Sequence, residues 1–228
     1  MLGIVTALSS ERRWIGATDP QTEIALSGVG MHRAENAARN LIASGATHLV
    51  SWGAAGGLDP ELGPGTVVLP NSVTALDGNT VECDTVWRDR LIQRVGERVR
   101  LSTGRCLTVD TAATDPEQKG ALSSRFGAVA VDMESAAIAR VAKEHDLSWI
   151  AVRVVVDAAD IRLPDLNAIG PDGQVNTARV LLRALPRPGL WRALLTLRSC
   201  HRTAGGAMRR VWHAAGPDLA WILPPDRR

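Results

Sequence analysis

At 228 residues, with 45% hydrophobic and 22% charged side chains, the chain has the makeup of a folded domain and not of a disordered segment. The formal net charge of +2 hides a split: residues 1–178 carry −6, and residues 179–228 carry +8 from ten Arg against Asp218 and Asp226. Three dispersed cysteines, Cys83, Cys106 and Cys200, have neither the pairing nor the His spacing of a zinc site, so no metal is expected and the thiols fit a reducing compartment. The amino terminus has the wrong length and charge order for a signal peptide, and no apolar run reaches the ~18 residues of a membrane span. A soluble, cytoplasmic protein is expected, with at most a peripheral contact at the cytoplasmic membrane.

Residues 3–8 form a short apolar run that ends in Ser9-Ser10-Glu11-Arg12-Arg13, which predicts a buried strand with polar groups at its carboxyl end. Residues 23–26 predict a second strand, closed by Ser27-Gly28-Val29-Gly30. Ala34, Ala37, Ala38, Leu41 and Ile42 then recur at helical spacing up to Ser44-Gly45. Residues 48–52 predict a third strand, followed by a loop of small residues, Gly53-Ala54-Ala55-Gly56-Gly57. Residues 66–69 predict a fourth strand after the turn Gly63-Pro64-Gly65. A helix over 86–99 and a strand at 107–109 follow, and residues 128–131 lead into Asp132 as the N-cap of a helix through Ala142. Residues 149–156 form an apolar strand interrupted only by Arg153 and ending at Asp157.

Strands alternating with helices predict a three-layer α/β/α fold with a central mixed sheet, whose apolar central strands are covered on both faces. Residues 1–185 would form this domain. After a helix over 177–185, Pro186-Arg187-Pro188-Gly189 breaks the chain, and residues 186–228 read as a basic amphipathic C-terminal extension. There Leu190, Trp191, Leu194 and Leu195 segregate from Arg192, Arg198 and Arg202, and Gly205-Gly206 separates a second helix containing Met208, Val211, Trp212 and Ala215. Such a stripe fits an anionic membrane surface better than a nucleic-acid arm; packing on the body or on a partner subunit is the alternative. Arg outnumbers Lys 24 to 2, a pattern that codon bias suffices to explain.

Gly28-Val29-Gly30 fails the dinucleotide fingerprint, because Arg33 stands where the third glycine would fall. The small residues at 53–57 would let a flat or anionic ligand approach backbone amides, and would equally suit a plain loop. Three carboxylates stand at element ends: Glu11, Glu134 and Asp157. Each suits a helix start on its own. Together they suit the carboxyl edge of an open α/β sheet, where ligands bind.

The segments GIVTALSSERR, WGAAGGLDPELGPGTVVLP, VDMESAAIARVA and VRVVVDAAD resemble the nucleoside phosphorylase and hydrolase superfamily, in order and spacing over about residues 3–160. That superfamily includes purine and uridine phosphorylases and methylthioadenosine/adenosylhomocysteine nucleosidases. The Asp172-Gly173 turn, RPGLWRALLTLRSCHR and the basic end resemble its hopanoid-associated branch. The resemblance implies cleavage of the N-glycosidic bond of an adenine nucleoside, adenosylhopane in that branch, with release of adenine. A methylthioadenosine/adenosylhomocysteine nucleosidase is the alternative, and a non-catalytic nucleoside-binding or membrane-adaptor module a second one. It also implies a homo-oligomer, a small-molecule or lipid-linked nucleoside as partner, and no cofactor beyond phosphate as a co-substrate.

By the same resemblance Asp157 protonates the purine at N7, Glu134 holds the ribose hydroxyls, Met133 lies against the sugar, and Glu11 activates the attacking water. This division of labour parallels two-carboxylate glycoside hydrolysis. Trp52, Gly53 and Ala54 would line the nucleoside, although a Trp buried at the strand end suits position 52 equally well. Trp52 and Ala54 replace a threonine and a serine of the nucleosidases, and the phosphorylases' phosphate-holding arginine and serine are missing near that loop. Arg12, Arg33 and Gly30 are the candidate phosphate ligands that could substitute, so water and phosphate both remain open as nucleophile.

Overall fold

The computed structural model describes residues 1–163 and 188–221. The expected Asp172-Gly173 turn, the helix over 177–185 and the side chains of Leu190, Trp191, Arg192 and Leu194 lie outside the described residues. In chain order the elements are β1 (Leu2–Thr6), α1 (Ser9–Arg12), β2 (Thr22–Leu26), α2 (Met31–Ala43), β3 (His48–Gly57), β4 (Val67–Val68), β5 (Ser72–Ala75), β6 (Thr80–Glu82) and α3 (Thr85–Val95). They continue with β7 (Leu101–Ser102), β8 (Arg105–Thr108), α4 (Pro116–Phe126), β9 (Ala128–Asp132), α5 (Ser135–Glu144), β10 (Ser148–Asp157) and α6 (Pro188–Ala215).

The strands form one mixed sheet in the order β6-β5-β8-β9-β3-β10-β4-β7, with β1 and β2 branching from β3. β3 runs parallel to β10 along its length. Its first half also takes β1, and its last two residues, Gly56 and Gly57, take β9 antiparallel. A strand with neighbours on both edges and covered faces is largely apolar, as residues 48–52 and 149–156 are apart from His48, Ser51 and Arg153.

Side chains alternate across β3, and the two faces meet different helices. Ser51 hydrogen-bonds Ser135 of α5, whereas the Trp52 ring meets Trp212 of α6 edge-on, with ring centroids 6.0 Å apart. Helices α2 and α5 therefore form one outer layer and α6 the other, with α3 packed beside α6. The core of the first layer uses Ala34, Ala38, Leu41, Ile138 and Val141; that of the second uses Trp87, Leu91, Ala207, Met208 and Val211.

Four expectations change. The loop of small residues at 53–57 is strand, because Ala54 and Ala55 continue the ladder with Val154 and Val155. Asp132 ends β9, paired with Thr108, and α5 begins at Ser135 with Glu134 in the N-cap position. The Asp132 carboxylate still accepts the Ser135 N–H at 3.3 Å from outside the helix.

In the C-terminal segment, α6 runs unbroken through Gly205-Gly206. Gly205 marks a close approach and not a break: a Cβ there would stand 2.5 Å from Trp14 Nε1. Nor do residues 204–219 stand apart as an appendage. Ala204, Ala207, Met208, Val211, Trp212, Ala215 and Leu219 are buried in the main core, and the Trp87 indole donates to the Leu219 carbonyl at 2.8 Å. Burial of the larger side chains among them, Met208, Val211 and Leu219, is worth roughly 1.5–3 kcal/mol each, which favours covering this face of the sheet. Basic residues Arg198, Arg202, Arg209 and Arg210 occupy the exposed side of the same helix. Among the described residues no helix is long and apolar enough to cross a membrane.

Candidate active site

Glu11 is buried in the single turn of α1, directly beyond the carboxyl end of β1. Its Oε2 accepts the Leu8 N–H at 2.9 Å, the Ala7 N–H at 3.1 Å and the Thr6 hydroxyl at 3.1 Å. Its Oε1 accepts the Ala54 N–H from β3 at 2.8 Å. Burial pushes its carboxyl above the ordinary range, against these bonds and the charge of Arg153. A carboxylate so fixed, with a raised proton affinity, suits a general base.

Arg153, on β10, is fully buried and organises the centre. Its Nη2 donates to Ser51 Oγ at 2.5 Å and Ser135 Oγ at 2.8 Å, and its Nε stands 2.8 Å from Asp132 Oδ2 in an ion pair. Nη1 lies 3.9 Å from Glu134 Oε2. Burial opposes the charge on Arg153, but Asp132, Glu134 and Glu11 outweigh it and hold the guanidinium more firmly protonated.

Glu134 sits at the start of α5, and its Oε1 accepts the Gly30 N–H at 2.9 Å. Gly30 can present that amide because it turns the chain between β2 and α2 at φ +105°, a region that favours glycine. Burial, opposed by Arg153 and reinforced by Asp132, pushes Glu134 up to about 7.

Asp157 lies further along β10. A register irregularity between Val155 and Asp157 sets Asp157 opposite Gly56, while Arg153 stands opposite Gly53. The two positions are thus three residues of β3 apart, roughly 10 Å at strand rise. Asp157 Oδ2 accepts from the buried Lys119 ammonium of α4 at 2.5 Å. Lys119 also donates to the carbonyls of Ala158 at 2.7 Å and Ile161 at 3.2 Å. Burial raises the Asp157 carboxyl, and Lys119 pulls it back only in part.

The structure therefore joins Glu11 and Glu134 through Arg153 and sets Asp157 with Lys119 at a second station on the same strands. The small residues of β3 are what make room. A Cβ on Gly53 would fall 2.6 Å from Arg153 Nη1 and 2.8 Å from Glu11 Oε1, and one on Gly56 would fall 3.2 Å from Asp157 Oδ2. The Ala54 amide is already engaged by Glu11, so protein carboxylates occupy the approach that was expected for a ligand.

Met133 is half-buried beside Leu58 and Val131. Trp52 is placed elsewhere: it faces α6, fully buried, and no acceptor meets its indole N–H among the described residues. Alternation along β3 forces this, since Ser51 and Gly53 point to the Arg153 face. Arg12 and Arg33 are exposed, and the Gly30 amide is engaged by Glu134.

Arg153 and Lys119 were absent from the expected site. The signal for Arg153 was its place as the sole charge in an apolar strand. For Lys119 it was the rarity of lysine in an arginine-dominated chain.

A family model described as the phosphorylase superfamily matches residues 15–186. The methylthioadenosine/adenosylhomocysteine nucleosidase of Mycobacterium tuberculosis is 26% identical over 182 residues, covering 62% of this chain and 71% of that protein. The enzyme of the same name from Buchnera aphidicola is 27% identical over 135 residues, covering 51% and 54%. Among solved structures, the Neisseria meningitidis methylthioadenosine/adenosylhomocysteine nucleosidase with methylthio-immucillin-A superposes with a TM-score of 0.69 at 18% identity, over 92% of this chain and 95% of that one. Futalosine hydrolase of Helicobacter pylori gives 0.68 at 17% identity, over 92% and 96%. These likenesses extend the agreement in fold to nearly the whole chain. The sheet order, the carboxylates at its carboxyl edge and the family match lead to one conclusion: this chain belongs to the phosphorylase superfamily.

Proposed function

We propose that this protein hydrolyses the N-glycosidic bond of an adenine nucleoside carrying a 5′-thioether, such as methylthioadenosine or adenosylhomocysteine. The observation that carries the reading is the pairing of buried Glu11 and Glu134 across Arg153, with Asp157 about a nucleoside's length away on the same strands. Bond breaking places positive charge on the ribose and negative charge on the base. Glu134 holds the ribose hydroxyls and, with Glu11, stabilises the cationic ring, while Met133 packs on its face. Glu11 takes a proton from the attacking water, and Asp157 delivers one to N7 of the leaving adenine.

Water is favoured over phosphate as nucleophile. The candidate phosphate ligands Arg12 and Arg33 are exposed, and the Gly30 amide serves Glu134. The name of the Mycobacterium tuberculosis relative, a methylthioadenosine/adenosylhomocysteine nucleosidase, supports a 5′-thioether.

A second reading, adenosylhopane as substrate at the cytoplasmic membrane surface, draws support from the exposed side of α6. There Leu195 is 62% exposed beside Arg198 and Arg202. Such a face suits an anionic lipid surface. Adenine release from methylthioadenosine, adenosylhomocysteine and adenosylhopane in detergent, with and without phosphate, separates the readings. The first expects preference for the thioethers and no dependence on phosphate. Preference for the long chain would replace it with the second, and no release from any substrate would leave a non-catalytic module.

A further inference from the structure

The reading above needs Asp157 to arrive at the base with a proton, yet the structure pairs it with an ammonium. Lys119 is fully buried, and its three donors meet Asp157 Oδ2 at 2.5 Å and the carbonyls of Ala158 and Ile161. In an ammonium–carboxylate pair the mobile proton resides on nitrogen. Among the described residues, few other charges bear on the pair. The half-buried Cys200 of α6 lies within the field of Asp157, its thiol pushed up by burial and by that carboxylate. At the start of α4, Asp115 is engaged with Arg162 of the segment after β10. Glu11 and Glu134 belong to the Arg153 centre.

We propose that Lys119 is a positioning residue that stores the proton which Asp157 passes to the leaving base. The inference rests on the nucleosidase reading. In a dry site an ammonium–carboxylate pair converts to amine and carboxylic acid by moving one proton along an existing hydrogen bond, with no change in net charge. The C1′–N9 bond then breaks with its electron pair going to adenine, Asp157 gives its proton to N7, and the pair is left as amine and carboxylate. Water bonds to C1′ and yields its proton to Glu11. Solvent protonates Lys119 and accepts the proton from Glu11, so the cycle closes.

Composition supports the assignment. Basic positions in this chain are almost always Arg, 24 against 2, yet the buried cation that touches Asp157 is Lys. A guanidinium does not release its proton under working conditions, whereas a buried ammonium can. Position 119 is thus filled by the cation able to do this chemistry. The centre that needs a permanent charge is filled by Arg153.

The test is adenine release from methylthioadenosine as a function of pH for wild type, Lys119→Met and Lys119→Arg, with thermal midpoints measured alongside. Wild type is expected to stay active on the alkaline side of neutrality. Lys119→Met is expected to lose at least tenfold in kcat there, with its alkaline limb displaced toward acid by about one pH unit or more, because a lone carboxyl must now hold the proton. Lys119→Arg keeps the charge and is expected not to restore turnover.

A Lys119→Arg variant with wild-type turnover would overturn the proposal, since charge alone would then suffice. So would a Lys119→Met profile that is unchanged or lowered by one factor at every pH. Should either variant fail to fold, the wild-type profile still decides: activity already lost across the ordinary carboxyl range would exclude an ammonium store. A wild type that releases no adenine from any nucleoside removes the parent reading as well, whereas an active wild type with an unshifted Lys119→Met profile removes this one alone.

Discussion

Glu11 Oε1 accepts the Ala54 N–H at 2.8 Å, tying the turn after β1 to the middle of β3, and only a glycine fits at the residue before Ala54. A methyl group at Gly53 would press on both the buried Glu11 carboxylate and the buried Arg153 guanidinium, and these would have to shift. Gly53→Ala is therefore expected to cost roughly 1–3 kcal/mol of stability. Turnover should fall further than that loss alone explains, because both charged groups move. Thermal melts with adenine-release kinetics check this; an unchanged rate would mean that the Glu11–Arg153 geometry is not needed.

Glu11→Gln keeps the size of the side chain but offers one acceptor oxygen where four donors now converge on two. At least one buried donor loses its partner, at about 1–3 kcal/mol. Loss of the base should lower kcat by about 10²–10⁴-fold with KM little changed. Steady-state kinetics on methylthioadenosine provide the measurement.

Asp157→Asn removes the acid while keeping an oxygen for Lys119. Turnover is expected to drop about 10²–10⁴-fold with the fold intact by circular dichroism. Near-normal turnover would remove Asp157 from its role.

His48 is buried between aromatic rings, stacked on Trp221 at 4.4 Å and edge-on to Trp87 at 5.5 Å. Burial, helped by the charge of the N-terminal amine, lowers it from 6.5 to about 4. A histidine depressed in the folded state binds fewer protons there than in the unfolded chain. Its contribution is thus present above about pH 6.5 and is lost as pH falls toward 4, up to about 3 kcal/mol. The melting temperature should fall more steeply between pH 7 and about 4.5 for wild type than for His48→Phe, which keeps the ring stack. Parallel curves would show that another group governs acid sensitivity.

Two adjacent glycines in α6 should respond in opposite directions. Gly206→Ala meets only the flexible end of Arg210, at 3.5 Å, and should gain up to about 1 kcal/mol from helix propensity. Gly205→Ala gains the same propensity but drives a Cβ to 2.5 Å from Trp14 Nε1, so a net loss of about 1–3 kcal/mol is expected. Differential scanning calorimetry of both variants gives the comparison.

Much of this arrangement is legible in the residues themselves. The apolar runs at 48–52 and 149–156 point to doubly covered strands, and they form the centre of the sheet. The carboxylates at element ends mark the edge where Glu11 and Glu134 meet Arg153. What is not legible depends on which side chain comes close from a distant part of the chain. Gly53-Ala54-Ala55-Gly56-Gly57 has a loop's composition, and it becomes strand because Ala54 and Ala55 pair with Val154 and Val155, while the glycines leave space for Arg153 and Asp157. Gly205-Gly206 has the composition of a helix break, and it continues the helix because Trp14 packs there. Asp132 suits an N-cap, but pairing with Thr108 and the charge of Arg153 hold it at the end of β9. Trp52 reads equally as an aromatic against the nucleoside or as a buried strand-end side chain, and strand parity against α6 decides for burial.

The irregularity between Val155 and Asp157 has a bearing on which sequence changes this chain tolerates. It places one residue of β10 without a counterpart on β3, so the direction of Asp157 depends on a count of residues and not on their type. Substitutions at Val156 that preserve strand geometry should be absorbed. Deleting it would restore regular pairing with Asp157 still opposite Gly56 and remove the bulge that aims its carboxylate at Lys119, while leaving the ladder nearly whole. A change in length at this one position would thus separate foldedness from activity more cleanly than most point substitutions nearby.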